Sequence, residues 1–357
     1  MKDTIIRSKV FCLGIMSGTS LDGLDICFVS FEKENNQWLF SILEAETISY
    51  DEVMRRNLSQ AETMTGIELL DFNNSFGTYI GTQANRFCEK YSVDPQFIAS
   101  HGHTIFHQPK RALTYQIGSG ACIAAETGIT TVSDFRVLDV ALGGQGAPLV
   151  PIGDELLFSR FDVCLNLGGF ANLSVNIDGI RVAYDICPVN IVLNHYTRKI
   201  GKEYDNNGSI AANAQYNTAL LSALNALSFY MLPYPKSLGK EWVLKEVLPL
   251  IDSFELSIPE ILCTVCHHVA IQIARCVKLS QSILVTGGGV YNSFLLSLLK
   301  DKTNATIVIP DDKTIQFKEA LIFAFLGLNR INGEINCLQS VTGASRNCVG
   351  GSVFLGK

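Results

Sequence analysis

Apolar positions crowd into three short runs early in the chain, residues 9–16, 24–31 and 38–47, rich in Val, Ile, Phe and Leu and divided by Gly and Asn. Runs of that length and composition predict three strands joined by tight turns. Leu69, Phe72, Phe76, Ile80, Ala84, Phe87 and Tyr91 then recur every three to four positions, which draws one apolar stripe down a long helix. A short strand over 97–100 leads into polar His101 and His103. A second β-rich block covers 163–167, 171–177 and 180–184, with Asp178-Gly179 as its hairpin turn. Helical periodicity dominates afterwards, over 211–230, 240–251 and 259–279. Strand 282–286, helix 292–299, strand 306–309 and helix 317–331 complete the pattern.

The layout repeats. Each half opens with three strands joined by tight turns, one of them Gly-rich, and continues into helices and further strands. This predicts an α/β protein of two domains, each a mixed sheet flanked by helices, with a ligand cleft between them. Gly143, Gly144, Gly146, Pro148 and Pro151 cluster where a boundary is expected. The expected domains are therefore residues 1–134 plus about 340–357, and residues 135–339.

Composition narrows the picture. A chain of 357 residues is long for one core and suits two. Hydrophobic residues at 47% against 17% charged exclude compositional disorder. A net charge of −6 with no basic run argues against nucleic acid as the partner. Eleven cysteines without a repeated spacing read as small buried hydrophobes in a reducing compartment. Residues 1–9 are polar, and the apolar run 10–16 is too short for an export segment. The uncharged stretch 206–235 is broken by Asn213, Gln215, Asn217 and Asn225, so it reads as loop and buried helix, not as a membrane span. The expected location is the cytoplasm, with no membrane partner.

Three Gly-rich turns carry the candidate chemistry. The first, Gly14-Ile15-Met16-Ser17-Gly18-Thr19-Ser20-Leu21-Asp22-Gly23-Leu24-Asp25, lies between two predicted strands. Glycines there let backbone N–H groups approach an anion, and Ser17, Thr19 and Ser20 add hydroxyls. Asp22 and Asp25 are candidate ligands of Mg²⁺, directly or through water. The segment has no Gly-Lys-Ser/Thr and so is not a Walker A loop; a plain β-hairpin is the alternative. The second turn, around Asn166, Gly168 and Gly169, occupies the equivalent place in the second half. The third, Gly287-Gly288-Gly289, stands where a buried strand becomes a helix, a natural nucleotide site. Three such turns in this order resemble the sugar-kinase, actin and heat-shock chaperone superfamily. That resemblance implies a ribonuclease H-like (actin-like ATPase) architecture, with two hairpins on the phosphates of ATP and the third turn beside adenosine.

Closer similarity follows from Gly14–Asp25, Ser100-His101-Gly102-His103-Thr104, Asp134-Phe135-Arg136, residues 143–151, Pro235-Lys236-Ser237 and Val341-Thr342-Gly343-Ala344. Together these segments resemble the anhydro-N-acetylmuramic acid kinases over nearly the whole chain. The resemblance implies an ATP- and Mg²⁺-dependent phosphotransferase of cell-wall recycling that hydrolyses a 1,6-anhydro bond and phosphorylates O6. It also implies a homodimer. Asp185 is the candidate general base, ending a strand beside the second phosphate hairpin. Its carboxylate would take a proton from water attacking the anomeric carbon while O6 leaves towards the γ-phosphate, like the base half of an inverting glycosidase. The candidate sugar contacts are His101, His103, Arg136, Gln145, Asn190 and Glu319. Arg136 and Lys236 are candidates for the sugar's lactyl carboxylate, a guanidinium fork being suited to it.

The sequence departs from the family pattern in places. It reads Asp185-Ile186-Cys187-Pro188-Val189-Asn190 where the family has Asp-Thr-Gly-Pro-Gly-Asn; Ser119 replaces an acid, and His103 a frequent Gln. A kinase for a different sugar, or a catalytically weakened ATP-binding regulator, are the alternatives those changes keep open. Two further patterns are set aside. Cys263-Thr264-Val265-Cys266-His267 has haem-attachment spacing but sits in an amphipathic helix pattern without an export signal. His101, His103 and His107 lack carboxylate or thiol partners at metal-ligand spacing, which leaves His107 a surface role.

Overall fold

The first three apolar runs form an antiparallel trio, β1 (Val10–Ser17), β2 (Gly23–Glu34) and β3 (Gln37–Ser49), with β1 and most of β2 buried on both faces. The computed structural model describes residues 9–18, 21–277 and 281–357. β4 (Phe97–Gln108) lies parallel to β1, and β6 (Thr131–Ser133) parallel to β4. β5 (Leu113–Ile117) turns back against β4, while β12 (Ser352–Phe354) runs antiparallel to β6. The main order is thus β12-β6-β4-β1-β2-β3. β4 runs well beyond the short strand expected at 97–100, and it carries His101 and His103 within the sheet.

The second sheet repeats the plan. β7 (Val163–Leu167), β8 (Phe170–Ile177) and β9 (Ile180–Pro188) form the antiparallel trio; β10 (Ser282–Thr286) and β11 (Thr306–Val308) add in parallel. Its order, β11-β10-β7-β8-β9, matches β6-β4-β1-β2-β3 strand for strand. Among the five matched strands of each sheet the order is third, second, first, fourth, fifth with only the second antiparallel to the other four, which is the ribonuclease H-like architecture expected.

The chain divides into two compact units, one comprising residues up to Phe158 together with Gln316–Lys357, the other Ser159–Ile315. The Gly- and Pro-rich stretch 143–151 therefore lies inside the first unit, because the flanking helices Val137–Ala141 and Val150–Leu157 belong to that unit. In the first unit, Leu13, Ile15, Leu24 and Ile26 of the sheet meet Phe72, Phe76, Ile80 and Phe87 of the helix Gly66–Tyr91 in one core. That helix realises the apolar stripe, and a capping box at Thr65 and Glu68 starts it. On the other face of the sheet, Gly14 faces the helix Asp312–Asn332, where a Cβ would strike the backbone carbonyl of Ala320. Gly14 is therefore a packing glycine within β1, not part of the turn.

In the second unit the helix Ile258–Val277 is long and apolar enough to cross a membrane, yet most of it is buried as the core helix behind β9. The single helix expected over 211–230 is broken into Ser209–Ala212, Thr218–Asn225 and a 3-10 turn, Ser228–Met231. Asn217 restarts it by accepting the Leu220 N–H at 2.9 Å, the capping role that makes Asn a poor helix-interior residue.

A buried carboxylate fastens the C-terminal segment to the first unit's Gly-rich loop. Asp139 accepts from the Gly146 N–H at 2.7 Å, the Thr342 hydroxyl at 2.7 Å and the Cys337 thiol at 3.0 Å. Gln145 N–H donates to the Thr342 carbonyl at 2.8 Å, closing the same knot. Replacing Asp139 by Ala is expected to lower unfolding free energy by roughly 3 kcal/mol, through lost charge-assisted bonds and orphaned donors, as read by denaturant titration. Gly14→Ala is expected to cost about 1–3 kcal/mol by overpacking the strand–helix contact; an unchanged denaturation midpoint would show that the helix can retreat.

Candidate active site

The first Gly-rich turn joins β1 to β2, with Leu21 N–H donating to the Gly18 carbonyl at 3.3 Å. Thr19 and Ser20 lie outside the described residues. Ser17 ends β1 and is buried, and its hydroxyl accepts from Tyr50 at 2.7 Å. The same oxygen lies 2.9 Å from Nδ1 of His103. Ser17 is thus a bridge in a buried relay instead of an open phosphate donor. Burial pushes the His103 pKa down to about 4, so the ring is neutral at neutral pH. A neutral imidazole accepting from Ser17 at Nδ1 carries its proton on Nε2.

Asp22 is exposed, and Asp25 is half-buried on β2 with Oδ1 accepting from Thr47 at 2.6 Å. Burial raises the Asp25 pKa against the Thr47 bond, and the nearby charge of Asp22 raises it further. Two carboxylates whose mutual repulsion a cation would relieve, with hard oxygen donors, suit Mg²⁺.

His101 is buried next along β4. Its Nδ1–H donates to the Gly102 carbonyl at 3.0 Å, so Nε2 is the acceptor, taking Nε–H of Arg136 at 2.9 Å. Burial, and then the Arg136 charge, hold its pKa well below the ordinary value. Arg136 also donates from Nη1 to the Gly146 carbonyl at 2.6 Å, which leaves Nη2 of the fork. Burial lowers the guanidinium pKa to about 10 against the pull of Glu319. Glu319 lies on the helix Asp312–Asn332 and is open to solvent, yet surrounding protein raises its carboxyl pKa against the Arg136 charge. Gln145 is exposed on the Asp139-anchored loop. The first unit therefore brings together His101, His103, Arg136, Asp25 and Glu319 through contacts or mutual charge.

In the second unit, the turn Gly168-Gly169 joins β7 to β8. A Cβ on Gly169 would meet only Ile191, at 3.9 Å, so the turn is open above its backbone. The helix Asn190–Arg198 starts against it: Asn190 and Ile191 N–H groups donate to the Gly168 and Gly169 carbonyls at 3.3 and 3.2 Å. The Asn190 side chain donates to the Leu167 carbonyl at 3.4 Å, so it braces this hairpin. Asn166 sits in β7 opposite Thr286, beside the third turn. Gly287 has φ 84°, and a Cβ there would collide with Asn166 and the Leu167 backbone, so only glycine fits. Gly288 and Gly289 open a 3-10 turn, Gly288–Tyr291, and not the α-helix itself. The helix Ser293–Lys300 has its N-terminus capped by Asn292, which accepts the Leu295 N–H at 2.9 Å. The exposed helix start expected after Gly289 is therefore already occupied.

Asp185 is held from the side. Its N–H donates to the Lys236 carbonyl at 3.0 Å, and its Oδ2 accepts the Leu238 N–H at 2.7 Å. Tyr184 and Tyr234 stack at 5.5 Å and 13°, which ties the segment before Lys236 to the residue before Asp185. Burial raises the Asp185 pKa, the Leu238 bond opposing it. One oxygen is thus fixed, and the other remains to take a proton. The Lys236 ammonium lies 4.7 Å from the Phe229 ring centre and donates to the Phe229 carbonyl at 3.3 Å.

The departures from the family pattern point elsewhere. Ile186, Cys187 and Val189 are buried in the second unit's core. Ser119 caps the helix Gly120–Thr127 by accepting the Cys122 N–H at 3.4 Å, a task an acid would also perform. Sequence reading missed Tyr50, Asp139 and Leu238. Asp139 was visible as an acid inside the apolar run Val137-Leu138-Asp139-Val140-Ala141; Leu238 acts through its backbone and leaves no side-chain signal.

A family model described as anhydro-N-acetylmuramic acid kinase matches residues 10–356. The anhydro-N-acetylmuramic acid kinase of Xanthomonas oryzae pv. oryzae (strain MAFF 311018) is 34% identical, over 96% of this chain and 96% of that protein. That of Pasteurella multocida (strain Pm70) is 32% identical, over 98% and 97%. That of Shewanella woodyi (strain ATCC 51908 / MS32) is 33% identical, over 97% and 99%. Matched end to end by that model and these relatives, with the duplicated sheet order and Gly-rich turns in place, the chain belongs to the anhydro-N-acetylmuramic acid kinase family.

Proposed function

We propose that this protein opens 1,6-anhydro-N-acetylmuramic acid with water and transfers the γ-phosphoryl group of ATP to O6, giving N-acetylmuramic acid 6-phosphate. The observation that carries the reading is Asp185, with Oδ2 anchored by Leu238 N–H and a pKa raised by burial. A fixed carboxylate of raised basicity suits removal of a proton from water at the anomeric carbon. Phosphoryl transfer asks mainly for positioning and charge neutralisation. The open Gly168-Gly169 turn, the β1–β2 turn and Gly287-Gly288-Gly289 are the proposed contacts to ATP. Asp22 and Asp25 would hold Mg²⁺, which neutralises phosphate charge when bound. Nη2 of Arg136 is the proposed donor to the lactyl carboxylate, with His101 and Gly146 orienting the guanidinium. His103, Gln145 and Glu319 are proposed sugar contacts. Asn190 acts by bracing the hairpin. The family-wide match and the core location of Ile186, Cys187 and Val189 favour this activity over another sugar or a non-catalytic regulator. A cytoplasmic homodimer is the proposed state.

The test is ATP turnover with the anhydro sugar, with products read by mass spectrometry. Native protein is expected to give the ring-opened 6-phosphate, and Asp185→Asn to lose about 10²- to 10⁴-fold in kcat. ATP binding without phosphosugar would overturn the reading. The raised Asp185 pKa places the acid limb of kcat above the ordinary carboxylate value of about 3.9. Its sign for stability is the reverse of an ion-paired carboxylate. The folded state holds the proton more tightly, so the group lowers stability as pH rises above the unfolded value. Asp185→Asn is therefore expected to leave the neutral-pH melting temperature equal or raised while activity falls. Arg136→Gln is expected to raise KM for the carboxylate-bearing sugar about tenfold or more, since charged hydrogen bonds are worth about 1.5–3 kcal/mol, with KM for ATP unchanged. An unchanged sugar KM would remove Arg136 from the site.

A further inference from the structure

The knot around Asp139 contains a feature that the phosphotransfer chemistry does not use. Cys337 and Cys348 face each other across an isolated antiparallel bridge. Cys337 N–H donates to the Cys348 carbonyl at 3.2 Å, and Cys348 N–H to the Cys337 carbonyl at 3.1 Å. Reciprocal bonds of this kind set the two Cα atoms about 5.5 Å apart, inside the range that a disulfide spans. Both sulfurs and an Asp139 carboxylate oxygen lie within 4.8 Å of one another. These three are the only such group among the described residues. Three ligand atoms that already hydrogen-bond among themselves fall short of the four that a closed zinc site takes. The thiol pair is better read as a redox couple.

We propose that Cys337 and Cys348 form a reversible dithiol–disulfide pair, whose oxidation withdraws the Cys337 hydrogen bond from Asp139 and loosens the loop held at Gly146. The two thiols differ in role. Cys337 lends its proton to its neighbours, and it is held strongly protonated by Cys348, by burial and by Asp139. Cys348, which accepts from Cys337 and lies near the Arg346 charge, has its pKa lowered. Cys348 is therefore the attacking sulfur. Both side chains are nearly buried, so the oxidant class is a small peroxide. The Cys348 thiolate attacks one peroxide oxygen; the O–O bond breaks, a sulfenic acid forms, and the departing hydroxide takes a proton to become water. Cys337 then attacks the Cys348 sulfur, the S–O bond breaks, and the Cys337 proton leaves with that oxygen as a second water. Two thiols and one hydrogen peroxide give one disulfide and two waters. A buried pair of this kind in a reducing compartment would be transient and sensing, not structural.

The consequence runs along bonds already described. Asp139 keeps Thr342 and Gly146 but loses Cys337, and Gly146 in turn holds Nη1 of Arg136.

The experiment treats folded full-length protein with hydrogen peroxide, then maps peptides by mass spectrometry and follows backbone hydrogen exchange. The expected product is a Cys337–Cys348 cross-link two hydrogens lighter, reversed by dithiothreitol. With it, the Gly146 N–H should exchange severalfold faster than in the reduced protein. Cys337→Ser keeps a hydroxyl donor for Asp139 but cannot cross-link, so its Gly146 exchange should not respond to peroxide. Cys348→Ser should likewise give no cross-link. Oxidation confined to the half-buried Cys88 and Cys122, with 337 and 348 still as thiols, would overturn the pair. A cross-link that leaves Gly146 exchange unchanged would overturn its coupling to the loop. Neither readout involves turnover, so either result stands apart from the assignment of the sugar.

Discussion

A buried carboxylate must find donors, because leaving one charged and unpaired away from water costs several kcal/mol. Asp139 meets that requirement by drawing on residues far apart in the chain: Gly146, Cys337 and Thr342. Much of the first unit's polar face follows from this. With the loop fixed at Gly146, its carbonyl fixes Arg136; with Arg136 fixed, His101 has a donor on Nε2 and keeps its proton on Nδ1. Each step is a directional bond in a low-dielectric setting, where such chains reinforce one another and tolerate few alternatives. The segment that follows the long helix Asp312–Asn332 is thus part of the machinery that orients the guanidinium.

The second unit solves a similar problem with backbone groups. Asp185 is oriented by amide and carbonyl groups of Leu238 and Lys236, and the Gly168-Gly169 turn by the first amides of the helix Asn190–Arg198. Backbone donors fix geometry without adding charge. This leaves the Asp185 carboxyl in surroundings where burial dominates and its basicity rises. The two sheets share a strand order, but Arg136 is oriented by the His101 side chain together with the Gly146 carbonyl, whereas Asp185 is oriented by main-chain groups alone.

What could be read from sequence follows the same division. Apolar runs divided by turn residues located the two antiparallel trios, and a recurrence every three to four positions located the helix Gly66–Tyr91, since burial of one helix face imposes a period on side chains. The Gly-rich turns stood out because glycine tolerates backbone that other residues avoid, as Gly287 does. Gly14 misled for the same reason, its small size serving a strand–helix contact instead of a turn. The break in 211–230 was hidden because Asn217 and its neighbours fit both an interrupted helix and a polar face. Leu238 could not be found at all, since any residue with an N–H supplies that bond. Asp139 carried a weak signal, an acid inside an apolar run, and Tyr50, set among Thr47, Ser49, Asp51 and Glu52, carried none; their partners Ser17, Cys337 and Thr342 lie 33, 198 and 203 residues away.

The relay Tyr50–Ser17–His103 changes what a histidine means at that position. With its ring kept neutral and one nitrogen engaged by Ser17, His103 presents a single uncharged N–H, the same hydrogen-bonding face that the amide of a glutamine offers. The replacement of the family's frequent Gln is then close to a chemical synonym. Because protonation is deferred to about pH 4, that synonym keeps its meaning throughout the range in which a cell holds its pH.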